Sequence, residues 1–296
     1  MTHGQILCVT ATTPDLDAAL ADYRDTLGLR QVEEGTVDAD LAASWNASLT
    51  AGARTALLQP LSGASSFIRL VEASLPPDFV PTTTYGWAAF ELTVEDVFGW
   101  PARLRDSGFE IVGPPKEIPG LPYFVAMQML GRGREMIYLN EVRGDTPSSD
   151  LPRAHSPIDR AFIVILACSD RPAALAWYRE RLRLDIGSDY TIAYSMINRA
   201  FGLPDDHLTM ITMAQKGRMP IVEIDGYPAG ATPRTGSAHR LPPGNALVTL
   251  AVDDLGALQL AWITPPVARD GSLYGGRRAA TVLGPAGERL ELVEAP

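Results

Sequence analysis

Apolar and polar positions along this chain follow a scheme that repeats four times. An apolar run, Ile6 to Ala11, has the length and composition of a buried strand, and Asp15 follows it. Leu16, Ala19, Leu20, Tyr23 and Leu27 then recur at the spacing of an amphipathic helix. Shifting the chain by 155 positions lays Asp15 to Arg24 over Asp170 to Arg179, with Asp, Ala, Ala, Leu, Ala, Tyr and Arg coinciding. Leu27 and Leu29 fall on Leu182 and Leu184, and the strand preceding the second copy is Phe162 to Cys168. The Asp after each strand is a predicted N-cap, its carboxylate accepting from backbone N–H groups that have no partner inside the first turn.

A second pair of repeats follows. Phe90 to Val97 overlays Val248 to Leu255 at a shift of 158, and Leu130-Gly131 with Glu135 to Glu141 overlays Leu283-Gly284 with Glu288 to Glu294 at a shift of 153. The last stretch reads as strand, tight turn and alternating strand. These overlays predict an α+β fold of four βαβββ modules beginning near residues 5, 86, 159 and 245. A polar, Pro-rich segment separates the halves, so the organisation is 1–142, a linker over 143–158, and 159–296. A Gly/Pro-rich loop over 227–243 joins modules three and four.

Composition narrows the functional classes. Hydrophobic residues make up 46% of the 296 and charged ones 20%, which suits a globular protein with a substantial core. No apolar run approaches the roughly 20 residues that span a bilayer, and the chain enters its first strand without a signal-peptide pattern. Cys8 and Cys168, the only cysteines, lie in apolar stretches and read as buried thiols of a reducing compartment. The expectation is a soluble, cytoplasmic protein. A net charge of −10 without a basic stripe argues against nucleic acid as a partner.

The strand–Asp–helix unit ending in Tyr-Arg-x-x-Leu-Gly-Leu (Tyr23 to Leu29), with the terminal Gly-Glu-Arg-Leu-Glu-Leu-Val-Glu strand, resembles the vicinal-oxygen-chelate superfamily of glyoxalases, bleomycin-resistance proteins and extradiol dioxygenases. The resemblance covers nearly the whole chain. It implies that paired modules curl eight strands into a cup-shaped mixed sheet, giving two cups in tandem with ligands bound inside. It also implies metal ligands: a His on the first strand of a module and a Glu on its last. Here the first-strand positions are Cys8, Ala89, Ile163 and Leu247, and the last-strand positions are Arg69, Tyr138, Glu223 and Glu291. No histidine stands at any of them; His3, His155, His207 and His239 lie elsewhere. The reading is therefore a metal-free cup without a cofactor, with no metal ligand assigned.

Which positions share a cup depends on how modules pair. Pairing across halves joins Cys8, Arg69, Leu247 and Glu291 in one cup and Ala89, Tyr138, Ile163 and Glu223 in the other. Pairing within halves joins Arg69 with Tyr138 and Glu223 with Glu291. Arg69 beside a carboxylate would hydrogen-bond a substrate oxyanion, and a carboxylate beside Tyr138 would serve as base and acid next to a carbonyl. Glu223 interrupts the apolar run Pro220 to Ile224 and needs a partner if buried; it is the candidate general base. The catalytic candidates are thus Glu223, Tyr138, Arg69 and Glu291. Cys8, Trp87, Tyr123, Met127 and Tyr274 are candidate substrate contacts, with Trp45, Tyr190 and Tyr194 in less regular stretches able to line or lid a cup. An aromatic or hydrophobic small molecule suits such a lining.

The functional expectation is a metal-independent isomerase or lyase moving a proton on an aromatic or carbonyl-bearing metabolite. A non-catalytic sequestering protein of the bleomycin-resistance type is the alternative, and a metal-dependent ring-cleaving dioxygenase or glyoxalase is the third. A monomer already supplies both halves of a pseudo-dimer, and a homodimer is also compatible.

Overall fold

The computed structural model of the protein describes residues 2–118, 121–234 and 239–295. Residues 235–238 of the loop expected over 227–243 lie outside the described residues. Module one contributes β1 (Ile6–Thr13), β2 (Arg30–Thr36), β3 (Arg54–Gln59) and β4 (Phe67–Glu72). Module two contributes β5 (Gly86–Val94), β6 (Glu110–Ile118), β7 (Leu121–Leu130) and β8 (Met136–Val142). Module three holds β9 (Ile158–Cys168), β10 (Asp185–Ala193), β11 (Leu208–Lys216) and β12 (Met219–Gly226). Module four holds β13 (Asn245–Val252), β14 (Val267–Ala268), β15 (Arg278–Leu283) and β16 (Arg289–Glu294).

These strands form two eight-stranded mixed sheets, ordered β14-β15-β16-β13-β1-β4-β3-β2 and β10-β11-β12-β9-β5-β8-β7-β6. Modules one and four therefore share a sheet, and modules two and three share the other: pairing runs across the halves. The seams are antiparallel, β1 with β13 and β5 with β9, whereas the first and last strands of each module pair in parallel. Strands at the seams are covered on both faces, which is why β1, β5 and β13 are buried along their whole length and read as apolar runs.

The helices follow β1 and β9 as the repeat requires. In α1 (Leu16–Ala21) the Asp15 carboxylate accepts from the Ala18 N–H at 3.0 Å, and in α4 (Arg171–Leu182) Asp170 accepts from Ala173 at 3.0 Å. α1 continues as a π-helical turn over Asp22–Thr26 and ends at Gly28, whose φ of +75° is left-handed. The equivalent Arg183 takes the same turn at φ +57°. In module two a 3-10 turn over Val97–Gly99 runs into the short α3 (Trp100–Arg103). Module four departs from the expected βαβββ pattern and has turns where a helix was expected. Gly256 and the Pro265-Pro266 pair bracket this stretch, glycine disfavouring helical backbone at one end and proline disfavouring it in the preceding residue at the other. Two further short helices, α2 (Ala39–Ser44) and α5 (Ser195–Phe201), fall in the irregular stretches of modules one and three.

One face of each sheet joins a single continuous core with the helices, holding among others Val9, Tyr23, Leu70, Trp87, Leu92, Met127, Leu139, Tyr178, Leu250 and Leu292. Specific bonds cross between the sheets. The Asn245 side chain accepts from Met136 N–H at 2.8 Å and donates to Met136 C=O at 3.0 Å, while Trp87 Nε1 donates to Arg289 C=O at 2.8 Å. Tyr23 donates to Glu135 at 2.8 Å and Tyr178 to Glu288 at 2.9 Å, the same clamp in each half. Among the described residues no helix is long and apolar enough to cross a membrane.

Candidate functional site

The opposite face of each sheet is its cup, and the two cups hold different chemistry. In the cup of modules one and four, Glu291 is the hub. It accepts from Trp45 Nε1 at 2.9 Å, from Thr249 Oγ1 at 2.8 Å and from the Tyr274 hydroxyl at 3.0 Å. Arg69 donates to Tyr274 at 2.8 Å, lies 4.0 Å from Glu291 and stacks over the Trp45 ring at 4.9 Å. Cys8 is fully buried, and desolvation pushes its thiol up to about 11. Trp45, at the end of α2, is completely buried in this cup; Glu291 is occupied by Trp45, Thr249 and Tyr274, whereas Arg69 Nη1 is buried without a hydrogen-bond partner among the described residues.

The cup of modules two and three carries three buried carboxylates. Residues 89 and 91 on β5, 138 and 140 on β8, and 223 and 225 on β12 share a face by the two-residue period of strands. Glu91 stands opposite Tyr138 in one direction and Ile163 in the other, and Glu223 stands opposite Ile165. Asn140 Nδ2 donates to Glu91 at 2.8 Å. The Tyr194 hydroxyl lies 3.0 Å from the Tyr138 hydroxyl and 3.4 Å from Glu223 Oε1, and gives its single proton to one at a time. Met196 and Ile197 of α5, with Tyr227, cover the apolar part of this cup.

Burial dominates the electrostatics. Desolvation raises Glu223 from near 4.5 to about 7, against hydrogen bonds from Tyr194 and Asp225 that favour its anion. Asp225 is pushed well above the carboxylate range by burial, then by the Glu223 charge and by the hydrogen bond it gives Glu223. Glu91 is raised by burial and then by Glu223. All three carboxyls thus hold their protons to higher pH than a solvated carboxylate does, and Glu223, at about 7, is poised to exchange one near neutrality.

The candidates read from the sequence divide accordingly. Arg69, Glu291, Tyr274 and Cys8 come together in the first cup, and Glu223 and Tyr138 in the second. Met127 and Trp87 do not face a cup. Met127 pairs with Leu139, one position out of phase with Tyr138, and is buried in the continuous core. Trp87 lies before a register shift in β5 and turns into the same core, beside a cavity of about 300 Å³ between the sheets. Tyr123 packs with Val142, Leu151, Phe162 and Ile163, and no hydrogen bond links it to the carboxylates. Glu91, Asn140 and Asp225 escaped the sequence reading. Each lies two residues beyond a position that reading singled out, so strand alternation was the available signal.

At the positions where the resemblance places metal ligands, the first cup has a guanidinium opposite one carboxylate, and the second has Ala89, Ile163 and Tyr138 around one carboxylate. Among the described residues no group of three or more His, Cys, Asp or Glu side chains is arranged to hold a metal ion. The residues present do not fit such a centre.

Comparisons with known proteins agree on the fold. Residues 5–128 match the family model of the Glyoxalase/Bleomycin resistance protein/Dioxygenase superfamily. Glyoxalase I from Zea mays superposes with a TM-score of 0.61 at 17% identity, over 98% of this chain and 92% of its own. A putative dioxygenase from Bacillus subtilis subsp. subtilis str. 168 superposes with a TM-score of 0.64 at 12% identity, over 100% of this chain and 86% of its own. No curated protein matches the chain.

Proposed function

We propose that this chain, which carries a glyoxalase/bleomycin resistance/dioxygenase superfamily domain in a tandem glyoxalase-like fold, is a metal-independent enzyme that moves a proton next to a carbonyl in the cup of modules two and three. The observation that carries the reading is the Tyr138–Tyr194–Glu223 chain of hydroxyls and carboxylate, buried beside Glu91 and Asp225. A base works best when its pKa sits near the working pH, and burial brings Glu223 there. In this reading the Glu223 carboxylate takes the proton from the carbon beside the carbonyl. The Tyr138 hydroxyl hydrogen-bonds the carbonyl oxygen as charge collects on it. Return of that proton to a neighbouring atom makes the net reaction an isomerisation; where a leaving group departs instead, Glu223 gives the proton to that group and the net reaction is an elimination. The first cup, in which Trp45 is buried, acts as scaffold.

The test is deuterium uptake from D₂O at carbon next to carbonyl, followed by NMR over a panel of small carbonyl compounds. Wild type is expected to label at least one member, and Glu223→Gln to label it at least about 100-fold more slowly. Undiminished labelling by Glu223→Gln would sink the assignment. Saturable binding with no labelling of any compound would instead support a sequestering protein.

A further inference from the structure

The hydrogen-bond inventory of the second cup is one-sided. Among the described residues its Asn140 Oδ1 is buried without a partner, and the two Asp225 carboxylate oxygens have one only when the carboxyl is protonated and donates to Glu223; as an anion Asp225 can only accept. Asp225 and Asn140 are almost wholly buried, at 0% and 1% exposure, so water in bulk does not reach them. The Asn140 amide is fixed by its donation to Glu91, which leaves its oxygen in the cup as the orphan. Charge is equally one-sided. No arginine, lysine or histidine acts on the ionisation of Glu91, Glu223 or Asp225, and none forms an ion pair with them among the described residues. Arg234, which faces Tyr227, is committed elsewhere and gives its N–H groups to Thr84 Oγ1 and to the carbonyls of Trp87, Pro243 and Asn245. The other cup shows the contrast, because there Arg69 supplies the cation.

Buried acceptors and buried negative charge without donors or cations are costly unless a ligand supplies both. Tyrosine faces add to the preference, since Tyr138, Tyr194 and Tyr227 line the same cup and aromatic rings attract cations. We infer that the ligand of this cup is an organic cation with N–H donors, a primary or secondary ammonium on a small apolar or aromatic body, its nitrogen set among Asp225, Glu223 and Glu91. The inference rests on the cup being the working site. It narrows the substrate to a carbonyl compound that also carries a basic nitrogen. A quaternary ammonium brings the charge but no donor, an alcohol brings a donor without charge, and a carboxylate brings the wrong charge.

The experiment is calorimetric titration of the full chain with 2-phenylethylammonium, its N,N,N-trimethyl derivative, 2-phenylethanol and phenylacetate, at low and at moderate salt. The expected order is primary ammonium first, at least about tenfold tighter than the alcohol, with the quaternary ion intermediate and phenylacetate not binding. Asp225→Asn is expected to weaken the ammonium by about tenfold and leave the alcohol unchanged, with its thermal melt confirming a folded chain. A second variant, Asn140→Leu, removes the orphan oxygen without touching charge and is expected to weaken the primary more than the quaternary ion. Equal binding of alcohol and ammonium, preference for phenylacetate, or no ammonium binding up to its solubility would overturn the inference. So would Mn²⁺ binding that displaces the ammonium and is lost in both variants, because the acceptors would then serve a metal. These are binding readouts without turnover, so ammonium binding with no deuterium exchange would fail the proton-transfer reading alone. Exchange on carbonyl compounds lacking nitrogen, with no ammonium binding, would fail this inference alone.

Discussion

Glu135 and Glu288 illustrate how burial, rather than partner charge, governs ionisation in this protein. Each accepts from a tyrosine hydroxyl of its own half, and desolvation lifts each to about 7. The unfolded chain releases these protons near pH 4.5, whereas the native state holds them to about pH 7. Between those values the native state binds more protons, so stability falls as pH rises through that window and levels off above it. The effect is roughly 3 kcal/mol per carboxyl. Replacing both with Gln keeps an acceptor for each tyrosine and removes the ionisation. The double variant is therefore expected to lose less melting temperature than wild type between pH 5 and pH 8; an unchanged difference would refute the account. Residues of this sort are legible in sequence only as a coincidence, Leu-Gly with Glu repeated at a shift of 153. The reason for the glycines appears in space: a Cβ on Gly131 or Gly284 would lie 1.9 Å from the Glu oxygen. Cys8, Arg69, Tyr138, Glu223 and Glu291 were legible because the repeat fixes their place on a strand. Glu91, Asn140 and Asp225 were not, because alternation along a strand gives the face of a residue but not how far the buried cup extends along it.

Among elements, the repeat predicted strands and caps well and irregular stretches poorly. α2 and α5 were invisible as helices because each is six or seven residues long and leans on cup-facing contacts, not on a periodic stripe of its own. They nonetheless decide the character of the cups, since the one brings Trp45 to Glu291 and the other follows Tyr194. Trp87 turns with a register shift in β5 that sequence does not reveal, whereas Met127 follows the regular alternation of β7 against β8 into the core. β13 carries a further device in Asn245, whose side chain continues the hydrogen bonding of β8 from the other sheet. Asn245→Ala would leave the Met136 N–H and C=O unpaired in a buried site. Its expected cost is about 2–4 kcal/mol, measured by denaturant unfolding with an unchanged m-value. A loss below about 0.5 kcal/mol would mean that Asn245 contributes little to holding the sheets together.

On the scale of the whole molecule, sequence halves and sheets divide the chain differently. The overlays identified four modules, but similarity alone cannot say whether partners are neighbours in sequence; the strand ladders join one with four and two with three. Each sheet is thus complete only when both halves are present. Chains cut after Asp150 are expected to self-associate or remain unfolded separately, and to form a one-to-one complex with a single cooperative melt when refolded together, as native mass spectrometry and calorimetry would show. Two separately folded monomers would overturn this. The same pairing has a consequence for synthesis. Ile6 finds its partner only when Leu250 has been made, and at roughly 5–20 residues per second that delay is on the order of tens of seconds. For that interval a long apolar strand waits on the ribosome with an open edge, available to any other nascent chain. Slowing translation of the second half is therefore expected to lower the recovery of folded protein even when the stability of the finished fold is unchanged.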